Sequence, residues 1–384
     1  MRSVHYISCD EQTGYGTAAA GLITALKAAG IRVEQTLIRS GRVNRGGILV
    51  REERFPARAS AEAVIIHTVP EYYPYWLEKT SRTHPHAPVW GYTAWETDRI
   101  PPHWAGLLNR LHGVFVPSQW NREVLLACGV EVPVVVLPHV SEFGGATPHT
   151  APSHDLQKVL AEAEGRFLFY SIGMWNERKN QPLLIEAFRE EFHQDEKAVL
   201  LLKTDALDWT TCRRSWKKLF LRPTFDSSSS SLKKLTEAQP EGGRILHVTK
   251  EWCAGDLAWL HQQGDCFVSC TRGEGWGMGA YEAAWYGKAV VMTSHGGQLD
   301  YLSPEDAYLL PFQLERVATA FGKGSYTQEQ QWAAVDKQEV RKVLRAIYQD
   351  PSRAKHKGGQ LRDKVSRAFH PERIANTCIE VLFP

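Results

Sequence analysis

Neither sign of charge prevails in this chain. Its 384 residues carry 45 Lys+Arg against 43 Asp+Glu, a net +2, so bulk electrostatics demand neither nucleic acid nor an acidic membrane as partner. Long apolar runs are lacking. No stretch approaches about 18 uninterrupted apolar residues, so no transmembrane helix is expected. Cysteine is sparse: Cys9, Cys128, Cys212, Cys253, Cys266, Cys270 and Cys378 form an odd set without CxxC spacing. That argues against a disulfide framework or a zinc ribbon and for reduced thiols. At the N-terminus, Asp10 interrupts MRSVHYISCD before a signal-peptide core forms, so the segment reads as a first strand. The expected location is the cytoplasm. His84, His86, His103 and His112 lack ligand spacing, no DxD-type carboxylate cluster stands out, and no metal is assigned. No repeat of solenoid period is present.

What is present is ordinary globular material with one surplus. Hydrophobic residues make up 43% and charged residues 23%, which excludes a disordered or fibrous chain. The length suits two or three domains. The surplus is aromatic, with 13 Trp, 13 Tyr and 14 Phe. Such side chains fill cores or line sites for planar and sugar rings.

Short apolar runs alternate with helical patterns. Val4–Ile7, Ile31–Ile38, Val64–His67, Val89–Tyr92, Val114–Pro117 and Val134–Leu137 read as strands. Thr17–Ala29 reads as a helix stopped by Gly30, and Ser118 as the N-cap of a helix through Ala127. FGGATPHTAP, at 143–152, breaks the rhythm and reads as a linker. The alternation then restarts with strands Phe167–Ile172, Val199–Lys203, Ile245–Val248, Cys266–Ser269 and Ala289–Met292 among helices. Continuous apolar strands separated by helices predict parallel sheets covered on both faces, here two α/β domains in tandem. The boundaries fall at 1–142 and 153–365. Helices follow from Lys337, and a last helix in 366–384 is placed to return to the first domain. Residues 205–242 interrupt the second domain with Arg213, Arg214, Lys217, Lys218, Arg222, Lys233 and Lys234 and the run Ser227–Ser231. This is either a solvated, structureless loop or a basic arm, with Trp209, Trp216 and Phe220 interleaved, that grips phosphate or bases.

The densest chemical signal is CTRGEGWGMGAYEAAWYGKAVV from Cys270. Gly273, Gly275, Gly277 and Gly279 alternate between a strand end and a helix beginning near Ala280. Alternating glycines let backbone approach a ligand, and a helix N-terminus offers free N–H groups to an anion. Together they suit diphosphate binding at the carboxyl end of a parallel sheet. Glu274 in the loop and Glu282 on the helix suit pairs of sugar hydroxyls. The sequence is neither a GxGxxG nor a Walker loop.

Glu274 and Glu282 within EGWGMGAYEA, followed by Gly287-Lys-Ala-Val-Val, resemble the E-x7-E element of the retaining, family-four (group 1) glycosyltransferases of GT-B fold. Gly173-Met-Trp-Asn-Glu-Arg178-Lys179 resembles that family's Gly-Arg-Leu-x3-Lys-Gly segment, with Met174 where an arginine is usual. His295-Gly296-Gly297-Gln-Leu-Asp-Tyr-Leu resembles a further family loop, and Trp95-Glu96-Thr97 and Val116-Pro-Ser118-Gln-Trp-Asn121 resemble elements of a subset. The resemblance implies two Rossmann-like domains facing across a cleft, and transfer of a sugar from a UDP- or GDP-linked donor to a hydroxyl with retention. No cofactor or metal is implied. By the same resemblance Glu282 holds the ribose and Glu274 the donor sugar. Lys179 and Arg178 stabilise the diphosphate, together with the loop Gly275, Trp276, Gly277, Met278 and Gly279. Gly14-Tyr15-Gly16 forms a loop beside the phosphates. Lys203 faces the same cleft, and Glu96 or His67 takes the acceptor side. Trp95, Trp276 and Tyr15 are placed to stack on sugar rings. The acceptor stays open among a glycan, a lipid-linked intermediate and a small molecule. Three other readings stay open. DNA is a possible acceptor through Arg213–Lys234; the absent arginine at Met174 allows a silent sugar-binding module; and the fold also serves epimerases.

Overall fold

The computed structural model describes residues 2–9, 14–44, 47–53, 61–141, 144–148, 150–213, 224–318 and 325–384. Contacts divide the chain into two compact units. One comprises Met1–Glu142, Ala320–Gln331 and Arg367–Pro384, the other Phe143–Thr319 and Trp332–Ser366.

In the first unit the strands are β1 (Ser3–Cys9), β2 (Arg32–Asn44), β3 (Gly47–Glu53), β4 (Ala63–His67), β5 (Val89–Tyr92), β6 (Gly113–Val116) and β7 (Val134–Val136). Its helices begin with α1 (Gly14–Ala28), α2 (Tyr73–Thr83), α3 (Trp104–Leu108) and α4 (Gln119–Ala127). They build one sheet of order β3-β2-β1-β4-β5-β6-β7, in which β3 alone runs antiparallel to its neighbour. The reason lies in the runs themselves. AVIIH of β4 is buried at every position, as a strand covered on both faces must be. Ser118 caps α4, its Oγ accepting the Asn121 N–H at 3.1 Å.

The second unit runs α5 (His154–Ala163), β8 (Phe167–Ile172), α6 (Gln181–Glu191), β9 (Ala198–Lys203), β10 (Leu207–Arg213), β11 (Thr224–Ser227), α7 (Ser228–Glu237), β12 (Arg244–Val248), α8 (Ala254–Gln263), β13 (Cys266–Ser269), α9 (Met278–Trp285), β14 (Ala289–Thr293), β15 (Tyr308–Leu310), β16 (Phe312–Arg316), β17 (Gln331–Val335), α10 (Lys337–Gln349) and α11 (Pro351–Ala368). Its main sheet has the order β12-β9-β8-β13-β14-β15, and its strands pair in parallel throughout. That is the Rossmann order, with the topological switch between β8 and β13. A buried cluster of Phe169, Phe188, Leu200, Val268, Val291 and Leu344 fills one face. The final helix, α12 (Pro371–Leu382), packs against α1 in the first unit.

The 205–242 segment departs from the expected structureless loop. β10 and β11 pair antiparallel, and α7 follows. Ser227 caps α7 by accepting the Ser230 N–H at 3.1 Å, while Ser228 and Ser231 donate to Asp205 O (2.7 Å) and Asp208 Oδ2 (2.5 Å). A serine run reads as a breaker by composition, yet serine is among the best helix N-caps. The Trp209 ring packs on Phe225 at 4.8 Å. Lys233 and Lys234 pair with Glu237 and Asp226. Arg214, Trp216, Lys217, Lys218, Phe220 and Arg222 lie outside the described residues, as do the side chain of Arg213 and residues 143 and 149 of the linker. Among the described residues no helix is long and apolar enough to cross a membrane.

Candidate active site

The switch point of the second unit is where its two loops meet. Residues 173–180 leave β8, residues 270–277 leave β13, and Arg272 N–H donates to Arg178 O at 2.7 Å to tie them together. At this junction Glu274 is 6% exposed. Its Oε1 lies 2.5 Å from Lys179 Nζ and 3.1 Å from the Arg178 guanidinium, and accepts from Thr271 Oγ1 at 2.8 Å. Arg178 also donates to Gly273 O at 2.7 Å. Burial raises the pKa of Glu274, but the charges of Lys179 and Arg178 and the hydrogen bonds from Lys179 and Thr271 outweigh it. They hold the carboxyl at about 2.

The sign of the resulting pH dependence follows from that depression. A carboxyl held below its unfolded value adds stability that is fully present above about pH 4.5 and is lost as pH falls toward 2. The stability difference between wild type and Glu274→Gln should stay constant from pH 8 to 5 and close below 4.5. Denaturant melts across that range measure it; a gap that holds constant down to pH 3 would contradict the assigned shift.

The glycine loop is shaped by what lies under it. Gly277 sits left-handed at φ 85° as the N-cap of α9, where a Cβ would stand 3.0 Å from Met292 and 3.3 Å from Tyr301. Helix α9 therefore starts at Met278, two residues before the expected Ala280. Tyr301 is fully buried and its hydroxyl lies 3.1 Å from Trp276 O and 3.0 Å from Gly277 O. Burial first, then the charges of Glu274 and Glu282 among others, raise the Tyr301 pKa, so both carboxylates lie within electrostatic reach of this phenol. The 295–302 loop reaches the same place: Gly297 N–H donates to Glu274 O at 2.8 Å, and Gln298 donates to Thr293 O and His295 O.

Several expected site residues are placed differently from the sequence reading. Trp276 is 2% exposed and packed on Tyr281 and Tyr301. Trp95 is 4% exposed between Trp104 and Tyr326, its indole donating to Thr97 and Arg99. Neither ring offers an open face to a sugar. The aromatic surplus supports these loops from below. Gly14, Tyr15 and Gly16 form the first turn of α1 rather than a loop before it. The Tyr15 hydroxyl turns inward, bonding Thr93 Oγ1 and Ala94 O at 3.1 Å each. Lys203 ends β9, donates to Thr204 O at 3.2 Å, and has its pKa lowered by burial against the pull of Asp205 and Glu251. It is not one of the groups on Glu274. Met174 is 41% exposed.

In the first unit, His67 closes β4 and Glu96 follows β5. His67 is 1% exposed, accepts or donates at Nδ1 with the Tyr6 hydroxyl at 2.7 Å, and stacks on Tyr92 at 4.0 Å. Burial, then the neighbouring His139, drives its pKa well down, so the ring is neutral. Glu96 Oε2 accepts from the Tyr326 hydroxyl at 3.0 Å. Asn121 clamps the preceding residue, taking the Trp95 N–H at 3.2 Å and donating to Trp95 O at 2.8 Å. Asp98 and Gln331 hold the Tyr326 segment by two further bonds. The Trp95-Glu96-Thr97 and Ser118–Asn121 elements are thus one construction. Among the described residues no group of three or more His, Cys, Asp or Glu could hold a metal ion.

Glu274, Lys179 and Arg178 of the expected site come together in the structure. Thr271, Tyr301 and Tyr326 are additions to the residues expected from sequence. The signals for the first two were at hand: a Thr three residues before the loop glutamate, and a Tyr inside the already noted HGGQLDYL run.

Two Rossmann-like sheets in tandem define the GT-B class of α/β protein. Residues 153–316 match the family model of glycosyl transferases group 1. No curated protein sequence matches the chain. Among solved structures it is similar to Anabaena HepE in complex with UDP and glucose, with 13% identity over 100% of this chain and 99% of that one and a TM-score of 0.68. Sucrose-phosphate synthase from Thermosynechococcus elongatus is similar at 15% identity, 99% and 98% coverage and TM-score 0.68. The Escherichia coli trehalose-6-phosphate structure bound with UDP-2-fluoro glucose is similar at 13% identity, 99% and 98% coverage and TM-score 0.63.

Proposed function

We propose that the chain is a glycosyltransferase that moves a hexose from a nucleotide-diphosphate sugar to an acceptor hydroxyl with retention of anomeric configuration. One observation carries the reading: a buried carboxylate, kept ionised between a lysine and an arginine, stands at the switch point of a Rossmann sheet beside a glycine-capped helix N-terminus. Such a place suits an anionic diphosphate with a hydroxyl-rich group beside it. The similar solved structures, one in complex with UDP and glucose and one bound with UDP-2-fluoro glucose, agree with that chemistry.

In this reading the bond between the sugar C1 and the diphosphate oxygen breaks, and C1 bonds to the acceptor oxygen. The nucleoside diphosphate leaves and takes up the acceptor proton. Lys179, Arg178 and the N–H groups opening α9 stabilise the charge growing on the leaving group. Glu282 holds ribose hydroxyls, Glu274 the donor sugar, and Glu96 the acceptor hydroxyl. Lys179 and Arg178 pair with Glu274, so an arriving diphosphate competes with that carboxylate for them.

A thermal-shift panel of UDP-, GDP-, ADP- and dTDP-sugars tests the donor assignment. Donor at a hundredfold its Kd stabilises by about 2.7 kcal/mol, a shift of several degrees. A flat response to all four would sink the assignment. The anomeric configuration of the product, read by NMR coupling constants, tests retention; an inverted product would overturn that part.

A further inference from the structure

The two oxygens of Glu274 are not equivalent. Lys179, Arg178 and Thr271 all make their closest approach at Oε1. Two of the three donors are cations on side chains that are 21% and 14% exposed. The third is neutral and fully buried, at 0% exposure. The Thr271 hydroxyl has three acceptors in range, Glu274 Oε1 at 2.8 Å, Gly273 O at 3.2 Å and Arg178 O at 3.3 Å. It carries one hydrogen, and the nearest acceptor is also the charged one, so the bond goes to Glu274. Thr271 is itself fixed, because the buried Thr293 hydroxyl donates to its carbonyl at 2.6 Å.

Resting on the donor-site reading above, we infer that Thr271 is a positioning residue that anchors Glu274 Oε1 and so keeps Oε2 turned to the donor sugar. The need for it arises on binding. A diphosphate draws on the same Lys179 and Arg178 that hold the carboxylate. If both cations turn to phosphate, the Glu274 side chain loses its charged partners at the moment it must be oriented. The Thr271 hydroxyl has no affinity for that competition: it is sealed from the ligand and locked from behind. The division of labour therefore predicts a selective effect. Contacts to the nucleoside diphosphate run through the cations, and contacts to the sugar run through the oriented carboxylate.

Calorimetric titrations of the full chain with UDP, UDP-glucose, GDP and GDP-mannose test this with Thr271→Val and Thr271→Ser. Valine keeps the shape and removes the hydroxyl; serine keeps the hydroxyl. The expected result for Thr271→Val is an unchanged Kd for the nucleoside diphosphate and an affinity for the matching sugar nucleotide weakened about tenfold or more. Thr271→Ser should recover most of that loss. Equal weakening toward both ligands, with no recovery by serine, would show a loop that has merely collapsed and would overturn the inference, as would a valine variant that binds the sugar nucleotide like wild type. A wild-type chain that binds none of the four ligands would instead fell the donor-site reading, and this assignment with it.

Discussion

Lys179→Met is expected to lower turnover of the sugar nucleotide on the order of a thousandfold, the upper range for losing one preorganised charge at a developing anion. The same change should also cost stability, for a separate reason. Lys179 Nζ stands 2.5 Å from a carboxylate that is 6% exposed. Deleting one partner of a buried pair leaves an undercompensated charge, at about 3–5 kcal/mol. Arg178 and Thr271 stay on Oε1, which places the cost at the low end, about 3 kcal/mol. The double variant Lys179→Met, Glu274→Gln separates the two effects. With the buried carboxylate neutralised and only the Arg178 guanidinium left without its partner, part of the lost stability should return, whereas activity should not. Steady-state kinetics beside denaturant melts read both quantities. Turnover near wild type in Lys179→Met would remove the residue from the mechanism. A double variant as unstable as the single one would mean that an uncompensated carboxylate is not what destabilises Lys179→Met.

Two neighbouring glycines of α11 should respond to alanine with opposite signs. At Gly358 an added Cβ would stand 2.3 Å from Gly287 O, 2.7 Å from Lys288 C and 2.9 Å from Ala289 N. Those atoms are backbone, so no rotamer change relieves the clash. The helix must lift off the turn that joins α9 to β14. At Gly359 nothing lies within 4 Å. Gly359→Ala gains helix propensity of up to about 1 kcal/mol and should raise Tm by a few degrees. Gly358→Ala should lower stability by about 3 kcal/mol or more after that gain is counted, because overpacking here has no soft partner. Thermal melts of the two variants decide the matter, and equal Tm values would refute the close packing of α11 on residues 287–289.

The parallel sheets were legible because their strands are short, apolar and uninterrupted, as AVIIH of β4 and AVLLLK of β9 illustrate. Glu274 was legible for a different reason: it stands among the alternating Gly273, Gly275, Gly277 and Gly279, a pattern that neither a strand nor a helix favours. Its partners were legible by type but not by contact, since Lys179 lies 95 positions earlier. Tyr326 could not be anticipated at all. It meets Glu96 across 230 positions, and nothing local marks it. The aromatics misled because ring chemistry suits both a sugar and a core, and only burial tells the two apart, as at Trp95 and Trp276. The run Ser227–Ser231 misled because polarity says loop while capping says helix.

The chain passes between its two units at 142/143, 319/320, 331/332 and 366/367. During synthesis this fixes an order of events. The first sheet emerges early, yet α12, which covers α1, and the Ser325–Gln331 segment, which braces Glu96, leave the ribosome only after most of the second unit. The unit whose sheet emerges first is thus completed only after the other. Until then the apolar face of α1 that meets α12 is left uncovered on the nascent chain.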